Sequence, residues 1–233
     1  MLIPLQDLPT ARIRGIIHVG AHEAEELDSY AAYGITRVVW IEANPDKASL
    51  LTAKLAGYRD MRLGMFAAAD NDGGVVDLNI ANNGQSSSVL AMGLHATAYP
   101  QIHYTSKVQV PRRSIDAFME SEQLERDKYN FLNLDIQGSE LSALVGASIQ
   151  LKYVDYVYTE VNTERLYENC CTLSEIDSYL TCYNFSRIAL TMTRQGWGDA
   201  FYAKNADGRN LSQLGGRSSP VSIKIRRFLA KLF

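Results

Sequence analysis

Apolar positions along the chain recur with two periods, and the points where one gives way to the other mark the elements. A four-residue apolar run, Ile16–Val19, predicts a strand that breaks into a turn at Gly20. Ala24, Leu27 and Ala31 then share one face of a helix that Gly34 closes. Residues 37–42 have the unbroken apolar core of a parallel strand covered on both faces. Asn44 as N-cap and Pro45 at the first helical position announce another helix, with Ala48, Leu51 and Leu55 as its stripe and Gly57 as its stop. A third strand is expected over residues 62–68, ending at Asp70.

Beyond a turn at residues 70–74, alternation predicts an added strand over residues 75–80. The polar stretch 82–88 opens an irregular segment that reaches Tyr104, and loops this long inside a domain tend to be functional. Residues 108–110 read as a short strand, and Ser114 caps a helix through Phe118 and Met119. A strand over residues 131–135, a turn at Gln137 and Gly138, and a helix carrying Leu141, Leu144 and Val145 follow. Residues 154–161 form the next strand, and Thr172-Leu173-Ser174-Glu175 fits a capping box before Ile176, Tyr179 and Leu180. Residues 185–193 and 200–203 close the pattern as a hairpin-like pair with Trp197 at its tip. Strands alternating with helices, then two strands in succession, predict an α/β fold: a mostly parallel sheet with an antiparallel edge hairpin.

Composition narrows the function classes. The chain has 233 residues, 46% hydrophobic and 21% charged, which excludes a disordered chain. A net charge of -3 leaves no global basic field, so nucleic acid is not an expected partner. No apolar run reaches membrane-spanning length, and the first residues carry no basic-then-apolar leader. Cys170, Cys171 and Cys182 form no CxxC pair and read as reduced thiols of a cytoplasmic protein, with no zinc site. One domain is expected over residues 1–204. The tail, residues 205–233, is basic and apolar; a terminal helix docked on its own domain is the commoner arrangement, with a peripheral membrane contact as the alternative. A homo-oligomer stays open.

The turn after the first strand carries the most chemistry. A dinucleotide fingerprint needs further glycines so that backbone can approach a pyrophosphate, but His22 and Glu25 stand there. Glu23, Glu25 and Glu26 would repel phosphates at a helix start that normally attracts them, although such acids also complement a helix dipole. Glu42 falls 22 residues after Gly20, at a strand end, where a carboxylate accepts bonds from both ribose hydroxyls. Asp70, at the next strand end, is either beside an adenine edge or the start of a turn. A ribose, an adenine and no phosphate describe S-adenosylmethionine.

These residues resemble the FkbM family of S-adenosylmethionine-dependent methyltransferases, over about residues 16–203 by the order of motifs. His18-Val19-Gly20-Ala21-His22 looks like the family's Asp-Val-Gly-Ala-Asn, and Ile41-Glu42-Ala43-Asn44-Pro45 like its Phe-Glu-Pro-Asn-Pro. Ala67-Ala68-Ala69-Asp70 resembles the end of its third strand, and Val110 to Asp116 its V-x-T-L-D approach to a helix. Leu132-Asn133-Leu134-Asp135-Ile136-Gln137-Gly138-Ser139-Glu140 looks like its L-K-I-D-V-E-G-x-E, and Tyr158-Thr159-Glu160 like its acid-terminated fifth strand. His18, His22, Ala24, Asn133 and Gln137 depart from the usual Asp, Asn, Gly, Lys and Glu. The resemblance implies a class I methyltransferase fold, a Rossmann-like three-layer sandwich, with S-adenosylmethionine as cofactor.

The expected cofactor contacts are His18, Gly20, Ala21, His22, Glu42, Ala43, Asn44, Ala69, Asp70, Ser87 and Asp135. His18 equally reads as a core histidine, and Ser87 (with Ser86 and Ser88) as a turn serine. Asp135 and Glu160 are the catalytic candidates: Asp135 holds the cofactor's ammonium or faces the acceptor, and Glu160 acts as general base or orients the acceptor. Glu160 in a structural ion pair with Arg165 or Arg194 is the competing reading. Two acids are too few to claim a divalent metal. Asn162, Tyr167 and Trp197 are the expected acceptor contacts, because an aromatic rim suits a sugar face. The resemblance implies methyl transfer to a hydroxyl of a sugar or glycosylated natural product. An NAD-dependent oxidoreductase or epimerase, and a non-catalytic scaffold that kept the fold, are the alternatives.

Overall fold

Seven strands form the central sheet of the computed structural model, which describes residues 1–204. The expectations for the tail, residues 205–233, lie outside the described residues. In chain order the elements are β1 (Ile16–Val19), α1 (Leu27–Ala32), β2 (Val38–Glu42), α2 (Ala48–Leu55), β3 (Met61–Met65), β4 (Ala67–Ala68), β5 (Val75–Ala81) and α3 (His95–Ala98). They continue with β6 (Tyr104–Arg113), α4 (Ile115–Ser121), β7 (Phe131–Leu134), α5 (Glu140–Val145), β8 (Tyr156–Asn162), α6 (Leu173–Thr181), β9 (Phe185–Met192) and β10 (Trp197–Lys204).

The sheet order is β3-β2-β1-β7-β8-β10-β9. β1 pairs in parallel with both β2 and β7, so the chain's winding reverses between β1 and β7. Open α/β sheets bind ligands in the crevice outside such a switch point. β10 runs antiparallel to β8 and β9 and lies between them. The two final strands therefore form the expected antiparallel pair, with β9 at the edge.

Side-chain alternation along β1 assigns the two faces. Ile17 and Val19 pack with Phe118, Met119, Leu144, Ile176 and Leu180 from α4, α5 and α6. Ile16 packs on the opposite face with Leu27, Tyr30, Leu51 and Leu55 from α1 and α2. Each face buries a separate core, which makes three layers. At roughly 25 cal/mol per Å² of apolar area, these faces are the main stabilising contribution.

Local details correct several sequence expectations. The first helix starts at Leu27, later than expected, because Ala24 sits at φ 53; its buried pair is Leu27 and Tyr30, while Ala31 is exposed. Asn44 caps as expected, accepting from the Asp46 N–H at 3.0 Å, but a 3₁₀ turn, Pro45–Lys47, precedes α2. The expected third strand divides at Phe66, whose ring packs on Phe118. β4 then leaves the main sheet to pair with β6 in a second sheet, β4-β6-β5. The three-residue strand expected at 108–110 is ten residues long; only Val110 is buried, so its pairing with β5, not burial, sustains it. Ser114 and the Thr172–Glu175 capping box behave as expected.

Candidate functional site

The turn after β1 is built around close backbone approach. Gly20 takes φ +92, and a Cβ there would stand 1.9 Å from the Asp135 carbonyl oxygen. The β1 and β7 ends can meet only with glycine at this position. Gly20 and Ala21 both donate their N–H to the Ile41 carbonyl, at 2.9 and 3.0 Å. His22 follows at φ 44, and its N–H reaches one oxygen of Glu42 at 2.7 Å. The Asn44 N–H takes the other oxygen, also at 2.7 Å. Burial pushes the Glu42 carboxyl above the usual range, and the two backbone donors oppose that rise. The carboxylate is thus held rigidly, with lone pairs to spare.

Under this turn lies a buried polar group. His18 on β1 and Asn133 on β7 are register partners. The Asn133 amide donates to the Tyr30 hydroxyl at 3.0 Å, and His18 Nδ1 lies 3.0 Å from the same oxygen. His18 also stacks on Trp40, with centroids 4.8 Å apart. Burial lowers the His18 pKa, which keeps the imidazole neutral. The core-histidine reading of His18 describes these contacts, although the residue also borders the cavity.

At the ends of β7 and β8 the acids gather. Gln137, at φ 54, folds back so that its amide donates to Asp135 at 2.8 Å and to Glu160 at 3.1 Å. Its carbonyl oxygen accepts from the Tyr167 hydroxyl at 2.7 Å. Glu160 is raised well above the ordinary carboxyl range, first by burial and then by Asp135, Glu140 and Asp199. It makes no pair with Arg165, which bonds Glu175 at 3.2 Å instead. Tyr158 donates its hydroxyl to Asp199, the register partner of Glu160. No group of three His, Cys, Asp or Glu among the described residues is arranged to hold a metal ion. Cys170 and Cys171 are buried, Cys182 is exposed, and all three are free.

These pieces enclose a cavity of about 470 Å³ at the sheet's switch point. Of the expected residues, His18, Gly20, His22, Glu42, Ala43, Ser87, Asp135, Glu160, Tyr167 and Trp197 line it. Glu25, Glu26 and Asp199 join the acids on its wall, and among the described residues the lining contains no lysine or arginine. Five expected residues lie off it. Ala21 is buried in the core beside Leu27, and Asn44 is spent on capping. Ala69 and Asp70 border a neighbouring groove, because β4 turns toward β6 before reaching them; Ala67 and Ala68 line the cavity in their place. Asn162 is buried opposite Trp197 in the β8–β10 pairing, and its Oδ1 has no hydrogen-bond partner among the described residues.

Other wall residues escaped sequence reasoning. His95 and Tyr99 come from the long irregular segment, whose length was the only signal. Asp199 and Tyr158 meet only through strand pairing. Trp197, expected at a hairpin tip, opens β10 and donates its indole N–H to the Tyr99 hydroxyl at 2.7 Å. Ser87 is held in its own turn, accepting from the Ala81 N–H at 3.1 Å and donating to the Gly84 carbonyl at 2.6 Å.

The family described as the methyltransferase FkbM domain matches residues 18–196. No curated protein matches the chain. Among solved structures, the fold is similar to that of a methyltransferase FkbM from Methylobacillus flagellatus KT, at 18% identity and a TM-score of 0.53, over 81% of this chain and 43% of that one. The chain therefore spans less than half the length of that relative. It is more distantly similar to a candidate tRNA methyltransferase from Streptococcus pneumoniae, solved in complex with S-adenosyl-L-methionine (9% identity, TM-score 0.45, 96% of this chain and 78% of that one). An N,N-8-amino-8-demethyl-D-riboflavin dimethyltransferase from Streptomyces davawensis stands at 9% identity and a TM-score of 0.44, over 86% of this chain and 52% of that one.

Proposed function

The chain belongs to the FkbM family of S-adenosylmethionine-dependent methyltransferases, and from that premise we propose that it moves the methyl group to an acceptor hydroxyl, on a sugar or a glycosylated natural product, in the cytoplasm. One observation carries the choice of ligand: Glu25, Glu26 and Asp135 stand on the cavity wall beside the buried carboxyls of Glu42, Glu160 and Asp199, and among the described residues the wall has no lysine or arginine. Such a wall attracts a cation and repels a pyrophosphate. It favours a sulfonium cofactor with an ammonium group over NAD.

When bound, the cofactor supplies an electrophilic methyl group on a positively charged sulfur. Glu42, held by two backbone donors, has acceptor capacity left for the ribose hydroxyls. Ala43, Ala67 and Ala68 leave an apolar shelf for the adenine. Gly20 lets backbone come close, His22 serves the cofactor's carboxylate and Asp135 takes its ammonium, while the Ser87 hydroxyl keeps donating to the Gly84 carbonyl. Trp197 offers a flat apolar face to the acceptor, and the buried Tyr167 steadies Gln137 through its hydroxyl. Glu160, with its carboxyl raised by burial, is held by Gln137 and orients the acceptor hydroxyl.

Calorimetry with S-adenosylhomocysteine and with NAD tests the ligand, and mass spectrometry of a panel of methyl glycosides tests the acceptor. The reading expects S-adenosylhomocysteine to bind, NAD not to bind, and a glycoside to gain a methyl group. NAD binding with no response to S-adenosylhomocysteine would overturn it. Cofactor binding without turnover on sugar, lipid or peptide acceptors would leave a binding protein instead of an enzyme.

A further inference from the structure

His95 has no part in the cofactor contacts above, yet it is the cavity residue with the clearest unmet need. It is 6% exposed, it borders the cavity, and its buried Nδ1 has no hydrogen-bond partner among the described residues. Buried polar groups are nearly always paired, so an orphan in a cavity wall marks a place for a ligand atom.

The surroundings hold the ring firmly without satisfying it. It stacks on Tyr167 at 5.2 Å between centroids and packs on Tyr99 at 5.0 Å. Both phenols are engaged elsewhere: Tyr167 donates to Gln137, and Tyr99 accepts from the Trp197 indole. The backbone is fastened too, since the N–H groups of Gly93 and His95 both donate to the Leu166 carbonyl at 2.9 Å. Gly93 permits this contact, because a Cβ there would come within 3.1 Å of the Arg165 carbonyl oxygen. The long segment that delivers His95 is thereby stapled beside Tyr167, at the Gln137–Glu160 end of the cavity.

We propose that His95 is a catalytic residue that accepts the proton of the acceptor hydroxyl, with Tyr99 and Trp197 as the platform on which the acceptor ring lies. This rests on the hydroxyl-methylation reading above. The acceptor oxygen forms its bond to the methyl carbon as the carbon–sulfur bond breaks, the electron pair staying on sulfur. The hydroxyl proton passes to the imidazole and from there to solvent. Burial lowers the His95 pKa, so the ring is neutral and able to receive it. The raised carboxyl of Glu160 suits it to orienting the hydroxyl, and the two roles separate.

The test uses the full chain with ¹⁵N-labelled histidine, loaded with S-adenosylhomocysteine and titrated with methyl glycosides. The His95 signal is assigned by its absence in His95→Gln. A glycoside that is methylated should move the His95 nitrogen resonances. His95→Gln should lower methyl transfer to it by about 10²–10⁴-fold while leaving S-adenosylhomocysteine affinity within about two-fold. Resonances that stay still, a variant that turns over at the wild-type rate, or a variant that loses the cofactor would each overturn His95 as the base, and none of them touches the hydroxyl reading. Cofactor binding with no glycoside methylated would sink that hydroxyl reading itself, and this inference with it.

Discussion

Glu42 is a carboxylate whose position, partners and burial all point the same way. Both its oxygens already hold a backbone N–H, so its geometry is set before any ligand arrives. If the ribose hydroxyls complete its shell, Glu42→Ala should weaken S-adenosylhomocysteine binding by roughly 1–3 kcal/mol, read by calorimetry; unchanged affinity would remove the assignment. Gly20 makes a different kind of claim, about backbone and not chemistry. Gly20→Ala adds a methyl where φ is +92 and the Asp135 carbonyl is 1.9 Å away. The expected cost is at least about 2 kcal/mol in denaturant unfolding. A variant as stable as the parent would mean that the β1 and β7 turns can part freely. Both residues were legible in the chain because each sits at a fixed step from a strand end. His95 was not: no spacing ties a histidine in an irregular segment to a strand it meets only in three dimensions.

Between elements, the β1–β7 pairing explains two departures from the family's usual motifs together. The positions with the usual Asp and Lys are His18 and Asn133, and they are register neighbours. An acid and a lysine there would form a buried ion pair; the neutral His18, Asn133 and Tyr30 group replaces it with hydrogen bonds. Buried ion pairs exchange for neutral groups at little net cost, whereas half of one is expensive. His18→Asp alone should therefore destabilise by about 3 kcal/mol, and adding Asn133→Lys should recover more than about 1 kcal/mol of it in a double-mutant cycle. Additive losses would show that the two sites do not pair. The same scale accounts for the misplaced Ala69 and Asp70. An apolar run cannot tell one strand from two strands in different sheets, and the break at Phe66 comes from its packing on Phe118.

Across the whole molecule, burial sets the charge balance. Glu42, Glu140, Glu160 and Asp199 are all raised chiefly by desolvation, Glu140 to about 7. A carboxyl raised on folding keeps a proton that the unfolded chain has released, so its contribution to stability is full below the ordinary value of 4.5 and is lost as pH rises through about 7. His18 and His95, lowered by burial, contribute the opposite slope. A difference between two chains isolates the acid. Glu140→Gln should be more stable than wild type at pH 8 by on the order of 2 kcal/mol, with the gain vanishing at pH 4. Denaturant unfolding at both values reads it, and a gain independent of pH would exclude Glu140 as its source.

By itself the sequence determined the order of strands and helices, the caps at Asn44, Ser114 and Thr172, the phosphate-poor turn at Gly20 and the acid at Glu42. These are local: periodicity, turn chemistry and fixed offsets from a strand end carry them. Only the tertiary structure decided that β4 leaves the main sheet, that His18 meets Asn133, that Asp199 stands beside Glu160, and that His95 lies against Tyr167 with a nitrogen unpaired among the described residues. Those are contacts between residues far apart in the chain, and pairing, burial and the closure of the cavity create them at once.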